Sequence, residues 1–534
     1  VNKKKLKHIE LFAGCGGMSL GLEAAGYNLY LANELSPMAG ETFAYNILNE
    51  TLEGNHSPNK TLWIKSQFAK NEIDKRLREN PFEATNGTFS DIEDDTILDN
   101  KLLIGDINKL LSVFEEKPTF IDRIRESEID LISGGPPCQS FSLAGLREKD
   151  NHKNTLPLSF AQIVGLIQPK TVLLENVKGI TSPFTENGKK YYAWLEVSKA
   201  FVLEGFVPVC MMLNSKYFGV PQNRPRFILQ AYRKDIFDKL YNKKRNNEIL
   251  KVSNEFYNAV TKNKKSLDKV TTKDFKYFDI ESRPNLFDGI ILPKITVTKN
   301  EFITSVEAIG DIRTPRFLYK VNGVKGKYAK TLNKIFRKKF PHDLLIKNHE
   351  PRNHSFLIRS RFRFYQVIEQ FQNGLKKGAV DLFTGKNVSD ELREKLLGEF
   401  SHHKLLFYDK TNSREIDIIP ENIDEVEELI KLIPTKKHSQ RALQEFEPAP
   451  AQLTIPDDLC HYHSDHPRTL TVREMARFQS FPDWFEFKSK VTTGGKMRKF
   501  EVPQYTQVGN AVPPLLAKAI GDNLKKQLDI IKES

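Results

Sequence analysis

Short apolar runs recur along the first 234 residues, and most of them stop at a glycine, a proline or an acid. "KHIELFAG", "LYLANEL", "KLLIGDI", "IDLISGG", "TVLLENV", "VPVCMML" and "RFILQAY" each have the length and apolar content of a buried strand. Helical patterns stand between them: "GMSLGLEAAGY", closed near Gly26, "PMAGETFAYNIL" with proline in its first turn, and "TLPLSFAQIVGLI". Buried strands separated by helices predict an α/β fold built on a doubly wound, mixed but mostly parallel sheet. Functional groups in such a sheet gather beyond the carboxyl ends of the strands.

The pattern is interrupted twice. Residues 50–100 turn polar and irregular, as in "EGNHSPNK" and "NGTFSDIEDD", and read as a surface insertion with some helix around "FAKNEIDKRLREN". After residue 234 the chain becomes basic and interleaved with aromatics and asparagine, as in "YNKKRNNEILK", "KNKKSLDK" and "IRSRFRFYQ". Regularity returns at Thr469 with a helix in "TVREMARFQSFP" and an amphipathic one in "PPLLAKAIGDNLKKQLDII". The expected organisation is a first domain over 1–234, a second domain inserted over 235–467, and a return to the first over 468–534.

At 39% hydrophobic and 28% charged residues the chain can bury large cores, and it holds no apolar window long enough to span a bilayer. The start "VNKKKLKHIELFAGCGG" does not read as an export signal, because Glu10 and the glycines break any apolar stretch. Cys15, Cys138, Cys210 and Cys460 lie far apart without CxxC pairing, which fits a reducing compartment. A net charge of +13 favours a polyanionic partner, although a lysine-rich solvated surface has the same charge.

Three strand ends point to a nucleoside. In "LFAGCGG" the glycines let backbone N–H groups approach a ligand, although the spacing of Gly14, Gly16 and Gly17 is not the dinucleotide fingerprint and a plain tight turn reads the same way. Glu34 ends the second strand, where an acid can accept from ribose hydroxyls, and Asp106 with Ile107 ends the third, suited to an adenine amino group and ring. No P-loop lysine meets a triphosphate. Further along, "ISGGPPCQSFS" sets Cys138 behind two stiffening prolines, and Glu175 follows the next strand in "LLENV". A thiolate nucleophile and a carboxyl proton donor can then share one pocket, while each residue alone is also compatible with a core cysteine or a helix cap. Arg224 and Arg226 in "VPQNRPRF" alternate at a strand entry and point to one side, towards a phosphate, a carbonyl oxygen or a salt-bridge partner.

Together "ELFAGCGGMSLGLEAAG", "NEL", "GDI", "GGPPCQSFS", "ENV", "QNRPR", "RTLTVREMARFQSFP" and "QYTQVGNAVPP" resemble, in order, the motifs of the DNA cytosine-5 methyltransferase family found in type II restriction–modification systems. They cover roughly half of the chain, at both ends. The resemblance implies S-adenosyl-L-methionine as methyl donor, with Phe12, Gly14, Gly16, Glu34, Asp106, Ile107 and Asn510 around it. Leu35 departs from members that carry tryptophan against the adenine. It also implies Cys138 as nucleophile on a flipped cytosine, Glu175 at ring nitrogen 3, Arg226 at oxygen 2, Arg224 supporting the pocket, and Ser142 near a phosphate on a closing loop.

The middle region becomes the target-recognition domain for duplex DNA, with Arg359, Arg361 and Arg363 in "NHEPRNHSFLIRSRFRFYQ" as expected contacts. A transfer-RNA cytosine-5 methyltransferase is the alternative, disfavoured by the size of this basic insert. The resemblance further implies action as a monomer in a prokaryotic cytoplasm, no membrane, and a cognate restriction endonuclease as functional partner. "CHYHSDH" has the residue types of a zinc site, but its candidates crowd into one segment and no metal is expected.

Overall fold

A computed structural model describes residues 5–532 apart from 56, 138–151, 187–188, 316, 339–340, 410, 413, 436–439, 452–453 and 455. Among the described residues nine strands form one sheet: β1 (Leu6–Leu11), β2 (Tyr27–Glu34), β3 (Thr61–Trp63), β4 (Lys101–Ile104), β5 (Leu131–Gly134), β6 (Thr171–Val177), β7 (Phe206–Asn214), β8 (Pro225–Arg233) and β9 (Phe278–Asp279). Their order is β9-β7-β8-β6-β5-β1-β2-β4-β3. From β3 to β6 all neighbours are parallel. β8 runs antiparallel to both β6 and β7, and β9 is parallel to β7. The expected doubly wound, mostly parallel sheet is therefore present.

Alternation along the strands divides the core into two layers, because successive side chains point to opposite faces. Val172 and Leu174 of β6 join one apolar cluster with Phe160, Phe201 and Phe256 from helices on that face. Leu173, between them, joins the other cluster with Leu22, Phe237 and Leu524. On this second face α1 (Gly17–Ala24) lies against the C-terminal helix Pro514–Lys532. A β-carbon at Gly21 would stand 2.4 Å from Pro514 O and 2.6 Å from Ala517 Cβ, so only glycine admits the two helices this closely. The last elements of the sequence are thereby fixed to the first.

Two stretches pack more closely on the sheet than their composition suggests. The stretch 50–100 is more than a surface insertion: β3 extends the sheet, and a buried ion pair, Arg76 to Asp91 at 2.7 Å, sits with its guanidinium over the Trp63 ring. A polar sequence hid these elements because the strand is three residues long and its anchor is charged. Packing on the sheet continues past residue 235. Helices Lys234–Lys243 and Glu248–Lys262 pack on the sheet, and β9 pairs with β7 at Met211 and Met212. Their apolar faces, Ile236, Phe237, Leu240 and Ile249, Leu250, Phe256, were masked by the surrounding lysines.

Beyond the sheet, residues from 308–346 and 443–487 build a third cluster that also takes in Cys15 and Leu20. A fourth holds α2 (Phe356–Ile368), three further helices within 373–432 and the hairpin Leu405–Asp409 with Arg414–Ile418. After it come α3 (Val472–Phe478), capped by a reciprocal Thr471–Glu474 box, and α4 (Gln504–Asn510). No described helix is long and apolar enough to cross a membrane.

Candidate active site

The parallel strands deliver their carboxyl ends to one edge. β8, running the other way, brings its amino end there: Arg226 lies opposite Val177 of β6 and Leu213 of β7. That reversal sets Arg226 beside Glu175, Nε to Oε1 at 2.7 Å, with both side chains nearly buried. Burial lowers the Arg226 guanidinium and the Glu175 carboxylate opposes that shift. Arg224 is turned elsewhere. It donates to Gly509 O at 2.9 Å, Ala511 O at 3.2 Å and Gln222 Oε1 at 3.3 Å, and so ties the "QNRPR" turn to the end of α4. The expectation that both guanidiniums point one way is thus replaced by a division: Arg226 faces the carboxylate, and Arg224 braces the backbone behind it.

Cys138 and Ser142 lie outside the described residues. The backbone just ahead of them is placed. Asn176 Nδ2 donates to Pro136 O at 2.9 Å, and Asn176 Oδ1 accepts from the Val177 N–H at 2.8 Å. Glu175 and the backbone at Pro136 are therefore tied together through one asparagine. Cys15, Cys210 and Cys460 are buried, and burial pushes each thiol well up, which makes them inert.

On the other half of the edge, both Glu34 oxygens accept backbone hydrogen bonds, from Gly14 N and Ser36 N at 2.8 Å each, and burial raises its carboxyl. Phe12 and Gly14 both have positive φ, 57° and 55°, so the turn between β1 and α1 is left-handed. A β-carbon at Gly14 would meet nothing within 4 Å, leaving open space above that residue, whereas one at Gly16 would stand 3.0 Å from Ile47. Asp106 caps the helix Ile107–Glu116, accepting from Asn108 N at 2.7 Å, and Ile107 is buried beside it. Asn33 Nδ2 donates to Leu103 O and Gly105 O at 3.0 Å each, holding the Glu34 and Asp106 strand ends side by side. An open cradle between a glycine turn and two acids at strand ends fits the nucleoside and amino-acid moieties of S-adenosyl-L-methionine. Asn510, exposed at the last turn of α4, closes the row next to the carbonyls that hold Arg224.

Sequence reading missed the residues that make this edge rigid. Gln222 donates to Phe478 O at 3.1 Å, Gln479 donates to Val508 O at 2.7 Å, and Gln507 accepts from Thr42 while donating to Met38 O, Lys488 O and Val502 O. Three of the quoted motifs, and the helix Pro37–Phe43, are joined by glutamines. Glu10 of β1 was also passed over as a mere interruption. It is buried, accepts from Ser19 Oγ, and is raised by burial to about 8. The folded protein then holds a proton on Glu10 that the unfolded chain releases above about 4.5, so this group lowers stability progressively as pH rises from about 4.5 to about 8. Glu10→Gln is expected to flatten that decline, read as a smaller difference between urea-unfolding free energies at pH 5 and pH 8 than in the parent protein. Equal declines would show that the carboxyl is not the source.

The arginines of α2 expected to contact DNA make these bonds within the fold. Arg359 pairs with Glu415, Arg361 donates to Ile433 O at 3.0 Å and to Pro434 O, and Arg363 donates to Asp417 at 3.0 Å and Ser464 O at 2.9 Å. All three hold this helix to the hairpin and to later segments. Alternation marks one face only in a strand; in a helix the residue two positions on is turned well away. The "CHYHSDH" segment likewise wraps a side chain, Gln366 Nε2, which donates to the carbonyls of His461, His463 and His466.

A family model for C-5 cytosine-specific DNA methylases matches residues 6–75 and 99–526. The chain is 25% identical over 538 residues to the type II methyltransferase M.DdeI of Desulfomicrobium norvegicum, covering 98% of this chain and 91% of the relative. It is 25% identical over 526 residues to the type II methyltransferase M.XorII of Xanthomonas oryzae pv. oryzae, covering 97% and 84%. A match of this extent, spanning both halves of the edge and the motifs joined there, makes the chain a member of the C-5 cytosine-specific DNA methylases, a DNA (cytosine-5) methyltransferase that uses S-adenosyl-L-methionine.

Proposed function

We propose that the protein methylates carbon 5 of a flipped cytosine within one short duplex sequence, through a covalent adduct with Cys138, and that it protects DNA from a cognate restriction endonuclease. The observation that carries the reading is the Glu175–Arg226 pair at 2.7 Å, on a strand whose next residue, Asn176, anchors the turn leading to Cys138. S-adenosyl-L-methionine, when bound between Phe12, Gly14, Gly16, Glu34, Asp106, Ile107 and Asn510, supplies the electrophilic methyl group that carbon 5 takes up.

The residues of the chain do the rest. Addition of the Cys138 thiolate to carbon 6 turns carbon 5 into an enamine-like nucleophile. Negative charge moves onto nitrogen 3 and oxygen 2, where Glu175 faces nitrogen 3 and Arg226 donates hydrogen bonds to oxygen 2. Arg224 keeps that wall in place. Once carbon 5 is methylated, a water takes its proton, the carbon 5–carbon 6 double bond re-forms and Cys138 leaves as thiolate. The target atoms are closed off inside a stacked helix, so the base turns out of the duplex at a cost of a few kcal/mol. Names of type II methyltransferases among the relatives support the protective role; action as a monomer in a prokaryotic cytoplasm is part of the same proposal.

Bisulfite sequencing of duplex DNA incubated with the protein and the methyl donor tests the reading. Cytosine at one position of one recurrent sequence is expected to resist conversion. Uniformly convertible DNA beside a methylated transfer RNA would overturn it.

A further inference from the structure

Between α3 and α4 the chain makes a basic excursion, "KSKVTTGGKMRKFEVP" over residues 488–503, that none of the site chemistry above uses. Its acid, Glu501, is engaged internally: it accepts from Thr493 and pairs with Lys490 at 2.5 Å. Arg498 Nε donates to Thr493 O at 3.2 Å, and Gly495–Lys499 forms a short 3-10 turn, so the loop has a defined shape. Lys496, Arg498 and Lys499 project from that turn, all exposed, with no acid paired to them among the described residues. Met497, between them, is 45% exposed.

The root of the loop is rigid and close to the catalytic edge. Gln504 N and Tyr505 N donate back to Lys490 O and Val491 O, and Gln504 Nε2 donates to Ser489 O. These bonds seat the loop on the first turn of α4, whose last turn carries Asn510 and the carbonyl that Arg224 holds. Seven helical residues span about 10 Å. The grooves of B-DNA are roughly 6 and 12 Å wide, so the loop stands within about one groove's width of this edge.

We infer that Lys496, Arg498 and Lys499 form a phosphate clamp on the DNA backbone flanking the target, which adds affinity and orientation without reading sequence. Charge complementarity selects the partner: three unpaired cations on a pinned turn suit a row of phosphates, and long flexible side chains suit positioning contacts more than base edges. The inference rests on the methylase activity and goes beyond it by assigning the contact to a loop outside the recognition region.

The test is the salt dependence of binding of a 30-base-pair duplex, followed by fluorescence anisotropy, for the parent and for the triple variant Lys496→Gln, Arg498→Gln, Lys499→Gln. Each lost phosphate contact lowers the slope of log K against log salt by about 0.9, so the slope is expected to become shallower by about 2 to 3. Affinity should fall by the same factor on duplexes with and without the recognition sequence. S-adenosyl-homocysteine binding and the thermal unfolding midpoint should not change. A charge-matched control, Lys251→Gln, Lys262→Gln, Lys264→Gln, on exposed lysines of another helix and the turn after it, should leave the slope as it was. An unchanged slope in the loop variant, or an equal change in the control, would overturn the clamp; methylation by the parent protein in parallel reports the activity separately.

Discussion

Cys138→Ala is expected to abolish methylation, with kcat falling by about 10⁴-fold or more, the scale on which removal of a catalytic nucleophile acts. Duplex DNA should still bind. The distinguishing readout is covalent: DNA carrying 5-fluorocytosine at the target should be trapped by the parent protein, because fluorine at carbon 5 cannot leave as a proton does, and it should run free with the variant. The inertness of the other cysteines sharpens the expectation. Cys15, Cys210 and Cys460 are buried with raised thiols, and Cys15 and Cys460 donate to the carbonyls of Gln507 and Phe362. None can substitute. Normal turnover by the variant would remove the covalent route altogether.

Glu175→Gln should have the next largest effect, and on two quantities at once. Loss of the acid at ring nitrogen 3 is expected to lower kcat by about 10²- to 10⁴-fold with KM for DNA little changed. Arg226, left nearly buried without its carboxylate, should reduce unfolding free energy in urea by about 3 kcal/mol. Adding Arg226→Met to the variant should recover most of that stability, since it removes the stranded charge, while the rate falls further because the donor to oxygen 2 is lost as well. Full kcat in Glu175→Gln alone would make the carboxylate a structural partner only.

The parallel sheet was legible because it depends on short-range pattern. Buried strands that end in Gly, Asp or Glu declare both themselves and the edge at which their ends collect, so Glu34, Asp106 and Glu175 could be placed together before any coordinates. Where local pattern and environment part company, reading failed. β3 is too short and too polar in its surroundings to stand out, and the lysines of Glu248–Lys262 concealed an apolar face that packs on the sheet. "RSRFRF" stood out for its alternating arginines and aromatics, but the segment is helical and its cations bond to Glu415, Asp417 and neighbouring carbonyls.

By itself, then, the sequence determined the chemical inventory and the strand ends: which cysteine, which acids, which glycines, and in what order. Only the tertiary structure decided which groups work as partners. The antiparallel course of β8 sets Arg226 against Glu175, while Arg224, two residues earlier, is drawn off to the carbonyls of Gly509 and Ala511 at the far end of the chain. The physical reason is range. Strand and turn preferences act over a few neighbouring residues, whereas a buried charge is satisfied by whatever donor or acceptor the fold brings near it, however distant along the chain.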